Sequence, residues 1–270
     1  MKFFEGCTAL ITGASSGLGA EFARQLAPYA RGVVLVARRR ERLEELAAEL
    51  RGIHPGLEVR TYGADLADES QRVGLAQWLD GEGLGVDFLI NNAGVGDHGD
   101  FKAGEWSRVK AMLDVNISAL THLTHLLLPS MVRSGRAAVL NVSSVASFFP
   151  LPHMAVYSAT KAYVTSFSEA LAIELRPHGI TVTALCPGPV PTEFFDVATR
   201  EGEGSAADHF KTFPAFTVSP QEAVGAGLRA VAHSRARVIP GPLLAISVGV
   251  ALIIPFFFVR RILTWKADSI

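Results

Sequence analysis

CTALITGASSGLG, Cys7–Gly19, is the stretch that decides the fold. Its first six residues, Cys7–Thr12, are mostly apolar and predict a short buried strand, and a helix is predicted from Leu18 to about Ala30. Three glycines stand at the turn between them: Gly13, Gly17 and Gly19. Such a turn lets backbone N–H groups approach a pyrophosphate at the positive end of the helix. Because the spacing GxxxGxG differs from the usual GxGxxG fingerprint, the turn alone also fits an ordinary tight connection.

Strand-like and helix-like segments alternate along the rest of the chain. The further predicted strands are Gly32–Ala37, Leu57–Asp65, Val86–Asn91, Ala137–Ser143, Ile180–Cys186 and Ala236–Ile239. The further predicted helices cover Glu41–Leu50, Asp68–Leu79, Trp106–Arg133, Tyr157–Arg176 and Pro220–His233. Uncharged, nearly continuous apolar strands that alternate with helices indicate a parallel sheet covered on both faces. We therefore expect an α/β fold with a doubly wound, Rossmann-like parallel sheet, as a single domain over residues 1–241 with an apolar C-terminal extension over 242–270.

Composition narrows the class of protein. The 270 residues suit one α/β domain, 49% of them are hydrophobic, and the formal net charge is −1. This charge pattern does not resemble a nucleic-acid footprint, so no nucleic-acid partner is expected. Cys7 and Cys186 both lie in apolar runs, which favours small buried side chains and a reducing compartment. The N-terminal MKFFEG has no apolar stretch of useful length, so we expect no secretory signal and a cytoplasmic location.

Polar and small residues cluster where the predicted strands end. The glycine turn, Arg38, Asp65, Asn91–Gly94, Ser144 and Pro187–Thr192 all follow strands. Ligands of parallel sheets bind beyond the carboxyl ends of the strands, so these residues share one edge and indicate a dinucleotide-binding enzyme. Asp65 fits either a contact to an adenine or a cap for the helix that begins near Asp68.

The end of the second strand bears on which dinucleotide is bound. An enzyme that binds NAD places an acidic residue there, about 20 residues past the glycines, to hold the ribose hydroxyls. This sequence instead has Ala37 followed by Arg38, Arg39 and Arg40. Cations suit a 2′-phosphate, and three arginines at a helix N-terminus oppose the helix dipole. We expect NADP(H), while the alternative is the solvated start of an ordinary helix.

A candidate acid-base group lies in the segment NVSSVASFFPLPHMAVYSATK, Asn141–Lys161. The spacing of four puts Tyr157 and Lys161 on one helix face. A nearby ammonium favours the phenolate and lowers the tyrosine pKa towards the range useful for proton transfer. Ser144, at the preceding strand end, is placed to hydrogen-bond a carbonyl held before the tyrosine. On its own, YxxxK also fits a surface or structural pair, and Asn116 in the long helix fits a solvated or locally bonded side chain.

Together these motifs resemble the short-chain dehydrogenase/reductases, from about residue 5 to 240. The matching segments are TGASSGLG (Thr12–Gly19), NNAG (Asn91–Gly94), NVSS (Asn141–Ser144), YSATK (Tyr157–Lys161) and PG (Pro187–Gly188). The resemblance implies that Tyr157 is the general acid for carbonyl reduction and the base in the reverse direction. It implies that Lys161 lowers the tyrosine pKa and holds the nicotinamide ribose, that Ser144 positions the substrate oxygen, and that Asn116 orders a water for proton relay.

The resemblance also implies a cofactor site and an assembly. Thr192 matches the threonine that lies near the nicotinamide amide, and Arg38 matches the arginine of NADP-preferring members. The expected cofactor-binding residues are Gly13, Ser15, Ser16, Gly17, Leu18, Gly19, Arg38, Asp65, Leu66, Asn92, Ala93, Gly94, Tyr157, Lys161, Pro187, Gly188, Val190 and Thr192. No metal is needed. Family members commonly pair through their long helices, so a homo-dimer or homo-tetramer is expected by resemblance.

These expectations give a reaction and a class of substrate. We expect NADP(H)-dependent, reversible reduction of an apolar ketone or aldehyde, since five phenylalanines lie between Phe194 and Phe216 and two more, Phe148 and Phe149, follow Ser144. One alternative is a dehydrogenase or reductase of a sterol or sugar-like alcohol. The alternative of another class is a catalytically silent NADP-binding sensor or scaffold.

The C-terminal tail is apolar. No charged residue occurs from Val238 to Val259, and Arg260, Arg261 and Lys266 follow. Prolines limit the best uninterrupted helix to Leu243–Ile254, about 12 residues, which is short for a membrane span. The tail crosses a membrane, lies in one leaflet, or packs against protein. We favour peripheral or anchored association at the cytoplasmic side of a membrane, with shallow insertion ahead of a full span.

Overall fold

Short apolar segments form the strands of one sheet. The computed structural model describes residues 1–134, 137–199, 216–254 and 261. Within these, the strands are β1 (Thr8–Thr12), β2 (Gly32–Ala37), β3 (Glu58–Gly63), β4 (Phe88–Asn91), β5 (Ala137–Val142), β6 (Ile180–Leu185) and β7 (Arg237–Val238). Every residue of β1, β2, β4 and β5 is buried, as expected for strands that are covered on both faces.

The strands are parallel and their order reverses once. Within the described residues the sheet has seven strands in the order β3-β2-β1-β4-β5-β6-β7, and all neighbouring pairs are parallel. The chain therefore winds outward from β1 in one direction and from β4 in the other. Ligands of such sheets bind beyond the strand ends at this switch point. The predicted α/β fold with a doubly wound parallel sheet is confirmed.

Helices cover both faces of the sheet. Their bounds are α1 (Gly17–Leu26), α2 (Arg40–Ile53), α3 (Glu69–Gly81), α4 (Trp106–Met112), α5 (Leu120–Ser134), α6 (Ala155–Leu175), α7 (Glu193–Ala198), α8 (Pro220–Ala232) and α9 (Pro242–Ile253). Neighbouring strand residues point to opposite faces. Ile11 accordingly belongs to the core beneath α1, α2 and α8, and Leu10 to the core beneath α3, α5 and α6.

Two predicted elements differ most from those observed, and the first helix ends at Leu26, earlier than the predicted Ala30. The helix predicted over Trp106–Arg133 is interrupted by a π-helical segment, Leu113–Ala119, which joins α4 to α5. The extra residue of a π-helical turn has no strong sequence signature, and such turns are frequent at functional sites. The last strand, predicted over Ala236–Ile239, is reduced to the two residues of β7, which pair with Ala184 and Leu185 at the end of β6.

The C-terminal helix α9 agrees closely with the predicted apolar segment. It follows Gly241, whose φ of 87° is accessible to glycine, and starts at Pro242, a residue favoured at the first helical position. Among the described residues, none of the helices combines the length and the apolar character needed to cross a bilayer. Cys7 and Cys186 are both buried, as predicted.

Candidate active site

A cavity of about 740 Å³ opens at the carboxyl ends of the strands. It lies at the switch point between β1 and β4, where the sheet topology predicts a ligand. Of the residues predicted from sequence for catalysis and cofactor binding, all but Gly19 and Asn116 line this cavity. The two exceptions lie directly behind its wall and hold that wall in place.

The glycine turn forms one end of the cavity, and its three glycines serve different needs. Gly13 and Gly17 have φ values of 65° and 54°, a conformation that side chains disfavour. A Cβ on Gly19 would lie 2.2 Å from the carbonyl oxygen of Gly13. Gly19 therefore permits the close packing of α1 against the end of β1, although it does not face the cavity.

The NNAG segment is fixed to the glycine turn by one threonine. The Thr12 hydroxyl oxygen accepts hydrogen bonds from the backbone N–H groups of Asn92 and Ala93, each at 3.0 Å. The Asn92 side chain donates to the Thr12 carbonyl oxygen at 2.9 Å. The ends of β1 and β4 are thereby held together, which leaves the backbone of Ala93 and Gly94 along the cavity wall. Thr12 was not predicted as a site residue, although it stands at the end of β1 within the matching segment TGASSGLG.

Asn116 holds the next residues of the same wall. Its Oδ1 accepts from the Val95 N–H at 2.9 Å, and its Nδ2 donates to the Val95 carbonyl at 2.9 Å and to the Thr160 hydroxyl at 3.0 Å. The side chain is 1% exposed. The reading of Asn116 as a solvated side chain is therefore wrong, and the π-helical segment turns this amide inward towards the loop that follows Gly94 and towards α6.

Tyr157 and Ser144 meet at the centre of the cavity wall. Burial raises the pKa of Tyr157 to about 12, and a hydrogen bond with the Ser144 side chain acts in the opposite direction. Ser144 is itself oriented because its Oγ accepts from the Ala146 N–H at 3.1 Å. A phenol with this pKa is protonated at neutral pH, so Tyr157 is in the form that donates a proton.

Lys161 lies one helical turn beyond Tyr157 and points into the same buried region. Its Nζ donates to the Val142 carbonyl at 2.9 Å and lies 5.7 Å from the centre of the Tyr157 ring. Burial lowers the pKa of Lys161 to about 8, and the charge interaction with Cys186 acts in the opposite direction. The expected lowering of the tyrosine pKa by Lys161 is not found in this arrangement, because burial dominates the pKa of Tyr157.

Arginine side chains reach the other end of the cavity in an arrangement that the sequence did not predict. Arg38 is exposed and lines the cavity, as expected. Arg39 extends further, and its Nη2 donates to the hydroxyls of Ser15 at 3.1 Å and Ser16 at 2.8 Å. The sequence pointed to the run Arg38–Arg40 as cations for a 2′-phosphate, and only Arg38 was predicted as a site residue. The run of three arginines before α2 was the available signal for Arg39.

Glu193 joins these arginines from the opposite side of the cavity. Its carboxylate accepts from Arg42 at 2.6 Å and from Arg39 at 3.1 Å. Hydrogen bonds from Arg42 and then Arg39 lower the pKa of Glu193. This exposed carboxylate links α7 to the start of α2. Nothing local in the sequence signals the contact, because the partners are more than 150 residues apart along the chain.

The contacts around Asp65 decide between its two predicted roles, a contact to an adenine and a cap for helix α3. Asp65 and Leu66 line the cavity, and the Asp65 carboxylate accepts from the Ala67 N–H at 3.0 Å. The N-cap of α3 is Asp68, which accepts from the Ser70 N–H at 2.8 Å. Of the two alternatives for Asp65, the helix cap is thereby excluded.

The remaining wall is apolar. The Phe194 ring lies 5.5 Å from the Tyr157 ring, and further apolar lining comes from Phe149, Leu151, Met154, Phe216, Leu244 and Val248. Phe148 instead lies under the guanidinium of Arg237 at 5.2 Å. Phe210 and Phe213, which were also predicted near the substrate, lie outside the described residues.

Comparison with known proteins decides the family. A family profile described as short chain dehydrogenase matches residues 7–202. The chain belongs to the short-chain dehydrogenase family. It is 37% identical over 204 residues to sulfoacetaldehyde reductase 2 of Chromohalobacter salexigens, which covers 74% of this chain and 78% of that protein. The resemblance noted from the sequence is thus confirmed, and this short-chain dehydrogenase is an oxidoreductase acting on CH–OH or C=O groups.

Solved structures of similar short-chain dehydrogenases contain nicotinamide dinucleotides. One from Sphingobium yanoikuyae, in complex with NADPH, has a TM-score of 0.77 and 33% identity, and the match covers 91% of this chain and 92% of that chain. Another, from Burkholderia phymatum in complex with NAD, has a TM-score of 0.79 and 27% identity, and covers 92% and 93%. Dinucleotides of both kinds thus occur among the similar structures.

The residues of this dehydrogenase fit such a cofactor. A Cβ on Gly13 would lie 2.9 Å from the Cα of Ala93, so the two strand ends already touch and leave their open side to the cavity. A Cβ on Gly94 would stand 3.4 Å from both the Lys161 Nζ and the Asn116 Oδ1. Gly13 thus lets the ends of β1 and β4 lie in contact, and the backbone of both segments lines the same cavity as Tyr157, as binding of a dinucleotide requires.

Proposed function

We propose that this enzyme reduces an apolar ketone or aldehyde with NADPH, reversibly, with Tyr157 as the proton donor. The observation that carries the proposal is the position of the protonated Tyr157 phenol. It is hydrogen-bonded to Ser144 and lies in one cavity with the glycine turn, the NNAG backbone and Lys161. A proton donor, an orienting hydroxyl, a buried ammonium and a glycine turn suited to a dinucleotide, all in one cavity, are the components of carbonyl reduction.

The proposed mechanism assigns one task to each side chain. When bound, the nicotinamide supplies hydride to the carbonyl carbon and is itself oxidised. Tyr157 donates its phenolic proton to the carbonyl oxygen as the C=O π bond breaks. Ser144 donates a hydrogen bond to the same oxygen and thereby orients it. Lys161 does not lower the resting pKa of Tyr157, which burial controls. Its assigned task is to attract the phenolate that forms once the proton has left, from 5.7 Å away.

Asn116 completes the proposed catalytic group without facing the cavity. It fixes Val95 beyond the NNAG backbone and holds the Thr160 hydroxyl on α6. Its contacts support a role in positioning the wall and the helix that carries Tyr157. An ordered water beside Asn116, as the family resemblance implies, stays a prediction.

The preference for NADP(H) is part of the proposal and is supported by the arginines. Arg38 lines the adenosine end of the cavity, and Arg39 reaches the serines of the glycine turn. Guanidinium groups suit a 2′-phosphate, and no acidic residue follows Ala37 to bind the ribose hydroxyls of NAD. The remaining predicted cofactor contacts, apart from Gly19, line the same cavity and are proposed on that basis. Gly19 is proposed to act indirectly, because it lets α1 pack against the end of β1.

An apolar substrate is supported by the wall opposite the glycine turn. Phe149, Phe194, Leu244 and Val248 lie there, and apolar burial contributes about 25 cal/mol per Å². The alternative substrates are a sterol or a sugar-like alcohol, and the name of the relative sulfoacetaldehyde reductase keeps a small anionic aldehyde in consideration. The alternative of another class is an NADP-binding scaffold without catalytic activity. The presence of all the proposed catalytic side chains argues against this alternative.

One experiment tests the reaction, the cofactor and the substrate class together. NADPH and NADH oxidation would be followed by absorbance with medium-chain ketones, aromatic ketones, hydrophilic ketoses and sulfoacetaldehyde. The proposal expects the highest kcat/KM for apolar ketones with NADPH. A higher kcat/KM for ketoses or sulfoacetaldehyde would contradict the proposed class of substrate. A kcat/KM with NADPH that is no higher than with NADH would contradict the proposed preference for NADP(H). A homo-dimer or homo-tetramer and a cytoplasmic location stay predictions.

A further inference from the structure

The C-terminal helix α9 has two apolar faces, and only one of them is covered. Leu244 and Val248, four residues apart, are buried and line the cavity. On the opposite face runs a stripe at helical spacing, which we call the outer stripe: Leu243, Ile246, Val250 and Ile253. These four side chains are 53%, 64%, 55% and 84% exposed. A helix in contact with water normally has a polar outer face, and one that is apolar all round is buried or in contact with lipid.

The inner face of α9 is joined to the catalytic wall. A Cβ on Gly188 would lie 2.6 Å from the Leu244 Cδ2, so the glycine of the PG motif makes room for this leucine. The helix also contacts the turn Val145–Phe148, which begins directly after Ser144. Because α9 packs against the domain through this face, the helix lies on the domain surface. Its inner face forms part of the apolar wall of the cavity.

The charge of the sequence that flanks α9 favours a lipid surface over a second protein as the partner of the outer stripe. Between Glu222 and Asp268 the sequence contains no acidic residue. The cationic residues of the same stretch are Arg229, Arg235, Arg260, Arg261, Lys266 and also Arg237, which is already paired with Glu169. Basic residues beside an apolar helix are attracted to anionic headgroups.

The polar groups of α9 support the same choice of partner. Protein interfaces carry hydrogen bonds and a polar rim, whereas the acyl region of a bilayer offers no partner for polar groups. The only side-chain hydroxyl of α9 belongs to Ser247, and it donates to the Leu243 carbonyl at 2.9 Å within the helix. The outer stripe therefore leaves no side-chain polar group in need of a partner.

We propose that the outer stripe of α9 rests in the surface of an anionic membrane, and that long-chain apolar carbonyl substrates enter the cavity from the lipid past the inner face of the same helix. This inference rests on the proposed function for its substrate part, since it takes the cavity to be the site of carbonyl reduction. It joins two of the alternatives left open for the tail, because one face of α9 packs on protein and the other meets lipid.

The binding test uses the full chain, purified in mild detergent and mixed with phosphatidylcholine vesicles with and without phosphatidylglycerol. Flotation would be compared for wild type, Ile246→Glu and Ile53→Glu. Ile53 ends α2 and is 64% exposed, the same fraction as Ile246, so it is a matched control. We expect wild type and Ile53→Glu to float with the anionic vesicles and Ile246→Glu to bind at least tenfold more weakly. Val250→Glu, on the same stripe, repeats the test if Ile246→Glu does not fold.

Three results would overturn the proposal. The first is that the wild type does not float with vesicles, and the second is that all variants float equally. The third is that the wild type forms an oligomer and binds no vesicles, and that Ile246→Glu dissociates this oligomer. The last result would make the outer stripe a contact between copies of this chain.

The substrate part of the proposal is tested by measuring NADPH oxidation with a long-chain 2-ketone dissolved in the vesicles and with a short water-soluble ketone. Ile246→Glu should lose at least tenfold in rate on the first and keep its rate on the second, and an equal loss on both would overturn it. A wild type inactive on both ketones contradicts the proposed function and leaves the flotation result valid.

Discussion

Replacement of Asn116 by alanine tests whether this side chain holds the wall of the active site. The change removes all three of its hydrogen bonds, two of them to the backbone of Val95. The Thr160 hydroxyl keeps its bond to the Tyr157 carbonyl at 2.8 Å. The cost therefore comes mainly from the N–H and the C=O of Val95.

The magnitude follows from the burial of these groups. A buried backbone group left without a partner costs about 1–3 kcal/mol, and Val95 is half-buried, so water relieves part of the loss. Taking about 1 kcal/mol for each group, we expect Asn116→Ala to lower the free energy of unfolding by about 2 kcal/mol. For a chain of this size that corresponds to a fall in Tm of about 4–8 °C.

The assay is urea and thermal unfolding of Asn116→Ala beside Asp114→Ala. Asp114 lies in the same π-helical segment and forms an ion pair with Lys110 four residues away. Ion pairs of this kind contribute little, so the control should stay within about 0.5 kcal/mol of wild type. If Asn116→Ala were as stable as the control, the side chain would not hold Val95, and any loss of activity would have to come from a direct role in proton transfer.

Two further predictions concern charge. Glu193→Gln removes the carboxylate that shares Arg39 and Arg42. Two charges about 6 Å apart interact by about 0.7 kcal/mol at the dielectric constant of water and by about 2.8 kcal/mol at the effective value near a protein surface, so loss of this exposed carboxylate from beside a bound 2′-phosphate should lower the Kd for NADPH at least about threefold and leave that for NADH unchanged. Fluorescence titration showing an unchanged ratio of the two Kd values would rule out a shared site for Glu193 and the 2′-phosphate. The pKa of Lys161 is lowered to about 8 in the folded protein, so the folded state binds fewer protons than the unfolded state and the contribution of Lys161 is lost as pH falls through 8. The free energy of unfolding of wild type minus that of Lys161→Met should therefore rise by about 1 kcal/mol between pH 7 and 9. The raised pKa values of Cys186 and Tyr157 lower the stability as pH rises through their unfolded values, about 8.5 and 10, but both residues are present in both proteins and their effect cancels in the difference. A flat difference would show that burial does not control this lysine.

The fold was predictable because its pattern is local. Apolar runs such as Gly32–Ala37 end at small or charged residues and are followed by helical periodicity, and this repeats until Val238. The position of the site was equally accessible, since parallel strands bring their carboxyl ends to one edge. Residues far apart in sequence, such as Ser15, Tyr157 and Thr192, line one cavity for this reason.

The unpredicted features depend on contacts between distant segments. Arg39 and Glu193 meet across the cavity through side-chain rotamers that no local pattern specifies. The π-helical turn at Asn116 differs from an α-helix by one residue of register and leaves the apolar periodicity nearly unchanged. Helix α9 is apolar on both faces, so its sequence could not show that Leu244 and Val248 face the cavity while Ile246 faces outward.

The most direct test of the proposed reaction is the turnover of Tyr157→Phe with NADPH and the best ketone of the substrate panel. The variant keeps the ring and its packing against Phe194 but removes the proposed proton donor. General acid catalysis contributes about 10²–10⁴-fold, so kcat should fall by at least about 100-fold. The Kd for NADPH should stay within about threefold of wild type. Turnover close to that of the wild type would remove Tyr157 from its role and contradict the proposed mechanism.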